Sequence, residues 1–414
     1  LPPARTHAIA ASGYPQQQTV LETDIALSNS HPPRHAVMYN QSIVHVAEAQ
    51  VNDGLELGGR TAIMHRKRAR NWAMNRRVMP EYLANVPTAK NNRLPLYDGA
   101  TSLADLGPKD VFRIPAPGLT NYFHSIWEIL PQLMPAAEAN FKGTIALPFK
   151  VEAVPSFFQD HAAIVFPDLC DRIKIDRVHP DMPARGAGIY RNFYAGVDWS
   201  FYAHLAADSP VDIGLPDGDF DIFDLTNPFS FLFNNTNSYT LYQKAFRDRA
   251  VSAVAGMDFS HLPRRFWISR KGSYRRPEMK GEAALLAELK PLGFEEIQLE
   301  TLTAAEQIGL FQNAKIAAGP HGAGMTNLMF ASPETTIVEI GHGQTIERWR
   351  TFHQMAAAAG CKHIRIFCDY DTDDPTRKPN MRLEGFPTPA IASSAIDTIV
   401  ATIATLVNTS TNLD

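Results

Sequence analysis

The sequence predicts an α/β protein built from two Rossmann-like units. Three observations carry the prediction. Through the second half, short apolar runs alternate with amphipathic stretches at βα spacing, the alternation that a largely parallel sheet with covering helices requires. The chain has 414 residues, 45% of them hydrophobic, enough for two or three cores at about 100–200 residues per domain. Its three cysteines, Cys170, Cys361 and Cys368, are too few for a disulfide framework or a four-thiolate zinc site. Cys361 and Cys368 read as core thiols, so packing has to hold the fold. Lys and Arg (39) nearly balance Asp and Glu (43), for a net charge of -4. That balance speaks against a protein whose main task is to wrap nucleic acid. No run of 18 apolar residues is present to cross a membrane as a helix.

The first thirty residues are polar and carry Pro2, Pro3 and Pro15, which predicts an extended lead-in. Strand-like runs follow at 36–39, 42–46 and 59–64. A basic stretch with Arg66, Lys67, Arg68, Arg70, Arg76 and Arg77 around Trp72 reads as a solvated helix face or as a contact for an acidic polymer or anionic membrane surface. Strands are expected at 111–114, 144–147, 163–166 and 173–178. A helix from about 121 to 133 is expected to bend at Pro131. Residues 209–237, rich in Asp, Asn, Pro and Phe, read as a domain connection, and 239–254 as a helix.

Arg265-Phe-Trp-Ile-Ser269 then opens a cleaner succession. A helix at 282–292 stops at Gly293, and a strand spans 294–299. Thr303 caps a helix to Phe311, with Glu306 at the capping-box position. Strands at 314–318 and 336–340 flank a helix that begins near His321. A helix at 346–359 and a last one at 390–406 complete a βαβαβα order. The expected organisation is 1–235, 236–390 and a C-terminal helix with its tail at 391–414, this helix packing back on the first domain.

Three segments are able to carry chemistry. Gly319-Pro-His-Gly-Ala-Gly-Met-Thr-Asn-Leu-Met-Phe330 follows a buried-looking strand and opens a helix. Gly319, Gly322 and Gly324 let backbone approach a ligand, and a helix start offers N–H groups and a positive dipole end that suit a diphosphate. A packing role alone is the competing reading. No Lys-Ser/Thr follows the glycines, and G-x-G-x-x-G is incomplete, so neither familiar phosphate fingerprint is present. Ser269-Arg-Lys-Gly-Ser-Tyr-Arg-Arg276 also leaves a strand end, with Arg270 and Arg275 fit to neutralise phosphate oxygens. Glu339 closes the next strand, where a carboxylate can hold a ribose diol or make a salt bridge. In the first half, His124 and Glu128 stand at i,i+4 on one helix face. Such a pair makes a general base whose ring the carboxylate orients, or simply a helix hydrogen bond. No H-E-x-x-H motif accompanies them.

On these residues the sequence resembles glycosyltransferase family 61. The matching pieces are Tyr122-Phe-His124 with Glu128, Ile268-Ser-Arg270, Glu282, Glu306-Gln-Ile308 with Phe311, Gly319 to Gly324 with Asn327 and Phe330, and Val338-Glu-Ile340. Gly281 stands where members often place Asn. The resemblance implies an inverting enzyme of GT-B fold, with two Rossmann-like domains facing across a cleft. It implies transfer of a sugar from a nucleotide sugar, most readily a UDP-sugar, to a glycan acceptor without a metal. Under it, Arg270, Arg275, Gly319, His321, Gly322, Ala323, Gly324, Asn327 and Glu339 bind the donor, and His124 with Glu128 supplies the base. His321 is an alternative base. Two rivals remain: a metal-dependent GT-A transferase using Asp217-Gly-Asp219-Phe-Asp221, and a silent glycan-binding protein of the same fold. Arginine outnumbers lysine 26 to 13, a bias of GC-rich bacterial genomes, where such enzymes build cell-surface polysaccharide or exopolysaccharide. The expected location is the cytoplasm or the inner face of the membrane, with an anchor ahead of Leu1 left open. The oligomeric state is not readable.

Overall fold

The computed structural model of the chain describes residues 5–30, 42–52, 55–58, 61–64, 107–108, 111–114, 116, 118–149, 153–177, 189–197, 241–271, 278–343, 345–348, 350–371, 374 and 388–411. The expected strand at 36–39, the basic stretch 66–77, the connection at 209–237 with its acidic motif, and Arg275 lie outside these residues. The described residues form two compact units, and the chain enters one of them twice. Strand β1 (Arg5–Ala10) and helix α1 (Pro15–Ser30) belong with the second half of the sequence.

The middle of the chain makes the other unit. Its strands are β2 (Ser42–Asn52), β3 (Leu55–Gly58), β4 (Thr61–Met64), β5 (Val111–Arg113), β6 (Thr144–Phe149), β7 (Ile173–Arg177) and β8 (Ile189–Val197). They pair in the order β4-β3-β2-β8-β5-β6-β7. The sheet is parallel from β8 through β5 and β6 to β7, and antiparallel from β8 through β2 and β3 to β4. Half of this unit therefore departs from the expected Rossmann-like pattern. Two residues separate β2 from β3, and two separate β3 from β4, which is long enough for a hairpin and far too short for a parallel crossover.

Helix α2 (Met134–Glu138) follows β5, and helix α3 (Ser156–Val165) occupies the place of the strand expected at 163–166. The apolar run Ala163-Ile-Val165 closes an amphipathic helix that starts after Pro155, and Phe166 follows its end. Phe158, His161, Ala162 and Val165 are its buried stripe, at the spacing of one helical face. Helix α4 (Leu241–Ala253) sends Gln243 Nε2 to the Trp127 carbonyl (2.8 Å) and Arg249 Nε to the Val165 carbonyl (2.6 Å). Phe246 stacks on Phe166 with ring centroids 6.0 Å apart.

The remaining unit holds β9 (Arg265–Ile268), α5 (Glu282–Leu289), β10 (Glu295–Ile297), α6 (Ala304–Asn313), β11 (Ile316–Pro320), β12 (Thr336–His342), α7 (Thr345–Arg348), α8 (Arg350–Ala359), β13 (Lys362–Tyr370), β14 (Pro389–Ala390) and α9 (Ser393–Thr411). Six strands run parallel in the order β1-β13-β12-β11-β9-β10, and β14 pairs antiparallel with β13. β1 is no loose lead-in: Arg5 to Ala10 zip in register along Lys362 to Phe367. Alternation along each strand decides what each face buries. Ala318, Val338, Ile340, Ile364 and Ile366 meet Leu285 and Leu289 of α5 and Ile396, Ile399 and Ile403 of α9. The C-terminal helix thus packs on this sheet, where its own apolar stripe finds a matching face, and serves the unit that contains it. Leu21 and Ile25 of α1 join Ile346 and Phe367 in a separate cluster. The capping box forms as its residues require, with Thr303 Oγ1 accepting from Glu306 N–H and the Glu306 carboxylate accepting from Thr303 N–H. Cys361 and Cys368 are buried thiols.

Candidate functional site

In the parallel sheet the chain goes from β9 outward to β10 and then returns past β9 to β11. Such a reversal leaves a crevice at the carboxyl ends of the two diverging strands, where open α/β sheets bind ligands. The residues at this point are Ser269 and Arg270, just after β9, and His321 and Gly322, just after β11. The arginine and the glycine turn picked out in the sequence therefore meet at the switch point.

The glycines work by absence of a side chain. A β-carbon on Gly319 would come within 2.8 Å of Ile268 Cβ, and one on Gly322 would run into the Arg270 guanidinium. Arg270 Nη2 donates to the His321 carbonyl, which lays the guanidinium over the turn. Beyond Gly322 the backbone winds into the 3-10 helix Ala323–Phe330, whose first internal bond runs from Met325 N–H to the Gly322 carbonyl (2.9 Å). The N–H groups of Ala323 and Gly324 therefore precede any carbonyl that the helix could offer them. Gly322, Ala323 and Gly324 are half-buried, while Gly319 and His321 are buried.

Asn327 is fully buried one turn on. Its Nδ2 donates to Gln307 Oε1 (3.2 Å) and the Gly324 carbonyl (3.4 Å). Gln307 Nε2 in turn donates to the Leu299 carbonyl (2.9 Å) and the Leu302 carbonyl (3.2 Å). This buried relay fastens the glycine helix to the turn that follows β10, so Asn327 acts through Gln307. Beside that turn lies an open surface cavity of about 360 Å³, lined by Lys271, Glu296, Ile297, Gln298, Thr301 and Leu302, the first, second and fifth of them exposed.

Glu339 sits where the register of β12 puts it, opposite Gly319 on one side and Arg365 on the other. It is 1% exposed. His321 Nδ1 donates to Oε1, His363 Nε2 donates to Oε2 (2.9 Å), and Arg365 Nε lies 3.4 Å from Oε2. A carboxylate so enclosed braces the turn through His321, the salt-bridge role that the sequence offered beside a ribose contact. Burial pushes its pKa up, but the Arg365 guanidinium and His321 outweigh that and hold it well below the usual carboxylate range. Burial lowers His321 to about 4 against the pull of Glu339. Glu339 is thus paired with the Arg365 guanidinium beside a neutral His321, whose ring packs 5.0 Å from that of Phe352. Glu282 is also structural: it is buried and accepts Trp267 Nε1–H (2.6 Å) and Met279 N–H (3.3 Å), and burial raises its pKa.

In the other unit the expected helix over 121–133 is not uniform. Residues His124–Ile129 form a π turn and Leu130–Leu133 a 3-10 turn, a wide coil of the kind often kept at functional sites. His124 Nδ1 is 2.8 Å from Glu128 Oε2, and the two side chains are 25% and 37% exposed. A carboxylate at Nδ1 favours the tautomer with the proton there, leaving Nε2 as the basic nitrogen. The entry loop fixes the ring from behind. Gly118 has φ +84, and a β-carbon on it would stand 2.6 Å from His124 Cδ2. Asn121 Oδ1 accepts from Phe123 N–H (3.0 Å), and Ser125 Oγ donates to the Leu119 carbonyl (2.6 Å). The neighbouring Tyr122 hydroxyl donates to His161 Nε2 (3.3 Å), while His161 Nδ1 donates to the Phe157 carbonyl (2.7 Å). Burial lowers His161 to about 4 and keeps it neutral. Among the described residues no cluster of three His, Cys, Asp or Glu side chains is arranged to hold a metal ion, and no helix is long and apolar enough to cross a membrane.

Sequence reasoning did not single out His363, Arg365 or Gly118, and it met Gln307 only within the Glu306-Gln-Ile308 match, with no role attached. His363 and Arg365 had a signal: two polar residues at i,i+2 in the apolar run Lys-His-Ile-Arg-Ile-Phe-Cys share the sheet face of Glu339.

The mostly parallel α/β sheet, with an arginine and a glycine turn at its switch point, has the character of a Rossmann-like fold. Residues 122–338, just over half of the chain, match the family described as Glycosyltransferase 61. The chain belongs to that family, which makes it a glycosyltransferase. No curated protein matches it.

Proposed function

We propose that the protein is an inverting glycosyltransferase of the GT-B type. It moves a sugar from a nucleotide sugar, taken to be a UDP-sugar, to a glycan acceptor without a metal, in the synthesis of bacterial cell-surface polysaccharide or exopolysaccharide. One observation carries the reading: Arg270 and the Gly319–Gly324 turn meet at the switch point of the parallel sheet. A diphosphate leaving group needs cations and aligned N–H donors where its charge develops. Arg270 supplies the first, and the N–H groups of Ala323 and Gly324 supply the second. Arg275 is the further phosphate contact in this reading. Gly319 and Gly322 make room for Ile268 and for the Arg270 guanidinium, which keeps the cation against the turn, and His321, Asn327 and Glu339 hold that turn.

His124 Nε2 takes the proton of the acceptor hydroxyl as its oxygen attacks the anomeric carbon. The bond from that carbon to the diphosphate oxygen breaks on the opposite face, its electron pair leaves with the nucleoside diphosphate, and the configuration inverts. Glu128 keeps the ring in its tautomer and steadies the imidazolium that results. The transition state has the oxocarbenium character met in glycoside hydrolysis.

The test is a pair of variants. Arg270→Ala should weaken binding of nucleoside diphosphate, measured by calorimetry, at least ten-fold. His124→Ala should leave that binding intact and remove sugar transfer. Full turnover in both variants would show the assignment to be wrong.

A further inference from the structure

A donor whose diphosphate lies on the β9 and β11 ends can extend its nucleoside in either of two directions. Toward β12 it meets Glu339, closed off by His321, His363 and Arg365. Toward β10 it meets the 360 Å³ cavity. We infer that the nucleoside of the donor occupies the cavity beside β10, so that the donor crosses the strand ends with its sugar directed toward β12. The inference rests on the nucleotide-sugar reading above and adds the polarity of the donor and the residues that select its nucleoside.

The lining has the chemistry a nucleoside asks for. Glu296 commits Oε1 to the Ser269 hydroxyl (2.6 Å), and a carboxylate has further acceptor capacity for a ribose hydroxyl. The side-chain amide of Gln298 offers both a donor and an acceptor to a base edge. Ile297 and Leu302 give apolar surface for the face of the base, and Lys271 follows Arg270 directly, on the side where the phosphates begin. The volume falls near the lower end of small-molecule sites, about 300–1,000 Å³. That suits a nucleoside and leaves the transferred sugar outside.

The cavity is also built on the same frame as the phosphate turn. Gln307 grips the Leu299 and Leu302 carbonyls on the cavity side and Asn327 on the glycine-helix side. Leu299 Cδ1 reaches to 3.3 Å of where a β-carbon of Gly324 would stand. The relay therefore fixes the distance between the two places where nucleoside and diphosphate would rest.

Calorimetry on the full chain separates the parts, with UDP, GDP, CDP, ADP and inorganic pyrophosphate as probes. Thr301 is exposed, so Thr301→Trp fills the cavity from its rim without entering the core, and an unchanged melting temperature checks that the fold is kept. Thr301→Trp and Glu296→Ala should each lower affinity for the preferred nucleoside diphosphate at least ten-fold and leave pyrophosphate affinity unchanged. Arg270→Ala should lower both. Unchanged nucleoside diphosphate affinity in Thr301→Trp and Glu296→Ala, alongside loss in Arg270→Ala, would overturn the cavity assignment and leave the donor reading standing. Failure of all four nucleoside diphosphates to bind the wild-type protein would remove the donor reading and this inference with it.

Discussion

Replacing Gly118 with alanine tests whether backbone packing sets the position of the His124 ring. The residue lies in the left-handed region at φ +84, and its missing β-carbon would come 2.6 Å from His124 Cδ2 and 2.9 Å from Cγ. Ordinary contact begins at 3.4 Å, so the ring or the loop must give way by about 3.4 − 2.6 = 0.8 Å. Two costs follow. The left-handed conformation costs an alanine about 1–2 kcal/mol, which lowers the melting temperature by roughly 2–8 °C at 2–4 °C per kcal/mol. The shift of the ring acts on chemistry, because a misplacement of about 1 Å in a reacting group can cost about 10²-fold in rate. Steady-state transfer assays should show kcat reduced about a hundredfold, with nucleoside diphosphate affinity by calorimetry unchanged. A variant that melts earlier yet turns over within two-fold of wild type would refute the reasoning, because the His124 ring would then have moved without consequence.

Three further outcomes are expected. Glu339→Gln leaves the Arg365 guanidinium buried without its counter-charge, and urea unfolding should show a loss of about 3–5 kcal/mol; a loss below about 1 kcal/mol would mean the pair contributes no more than a surface bridge. Asn327→Ala strips Gln307 of its buried donor and should cost about 1–3 kcal/mol, with nucleoside diphosphate affinity falling alongside; unaltered stability would show that the relay is slack. Stability should also fall as pH is lowered from 6.5 toward 4. Burial lowers His161 and His321 to about 4 from the ordinary histidine value of 6.5, so in that window the unfolded chain binds protons that the folded protein excludes. The stabilisation is full above the unfolded value and is lost on descent through the window, up to about 3 kcal/mol per imidazole. A flat profile of denaturation midpoint between pH 7 and 4.5 would contradict it.

The second half was legible because its signals are local. Gly293 ends one helix, Thr303 with Glu306 starts the next, and each buried strand is a short apolar run set off by a turn. The parts that escaped depend on partners distant in sequence. Arg5–Ala10 is too short and too polar to declare itself a strand until β13 lies beside it. Ala163 to Phe166 reads as a strand if the stripe begun at Phe158 is overlooked, since a brief apolar run fits either periodicity. At the site, residue types told more than roles did. Arg270 and the glycines could be picked out because their chemistry suits an anion whatever surrounds them. The enclosure of Glu339 could not, because its partners lie 18 positions before it and 24 and 26 positions after it. The His124–Glu128 contact was visible as an i,i+4 pair, but the π turn and the support from Gly118 follow from a loop conformation that no local pattern announces.

The pairing of β1 with β13 sets an order of events during translation. Ser12 Oγ donates to Asp369 Oδ1 across 357 positions, and Gly13 N–H reaches the other oxygen of the same carboxylate (2.9 Å). At about 5–20 residues per second the ribosome needs roughly 20–70 s to deliver that partner. Strand β1 thus leaves the exit tunnel long before its partner does, and is matched only after the intervening unit has been made. A shortened gene starting beyond residue 35 would strip β13 of a neighbour, bare its hydrogen-bonding groups to other nascent chains, and leave the Asp369 carboxylate without either donor.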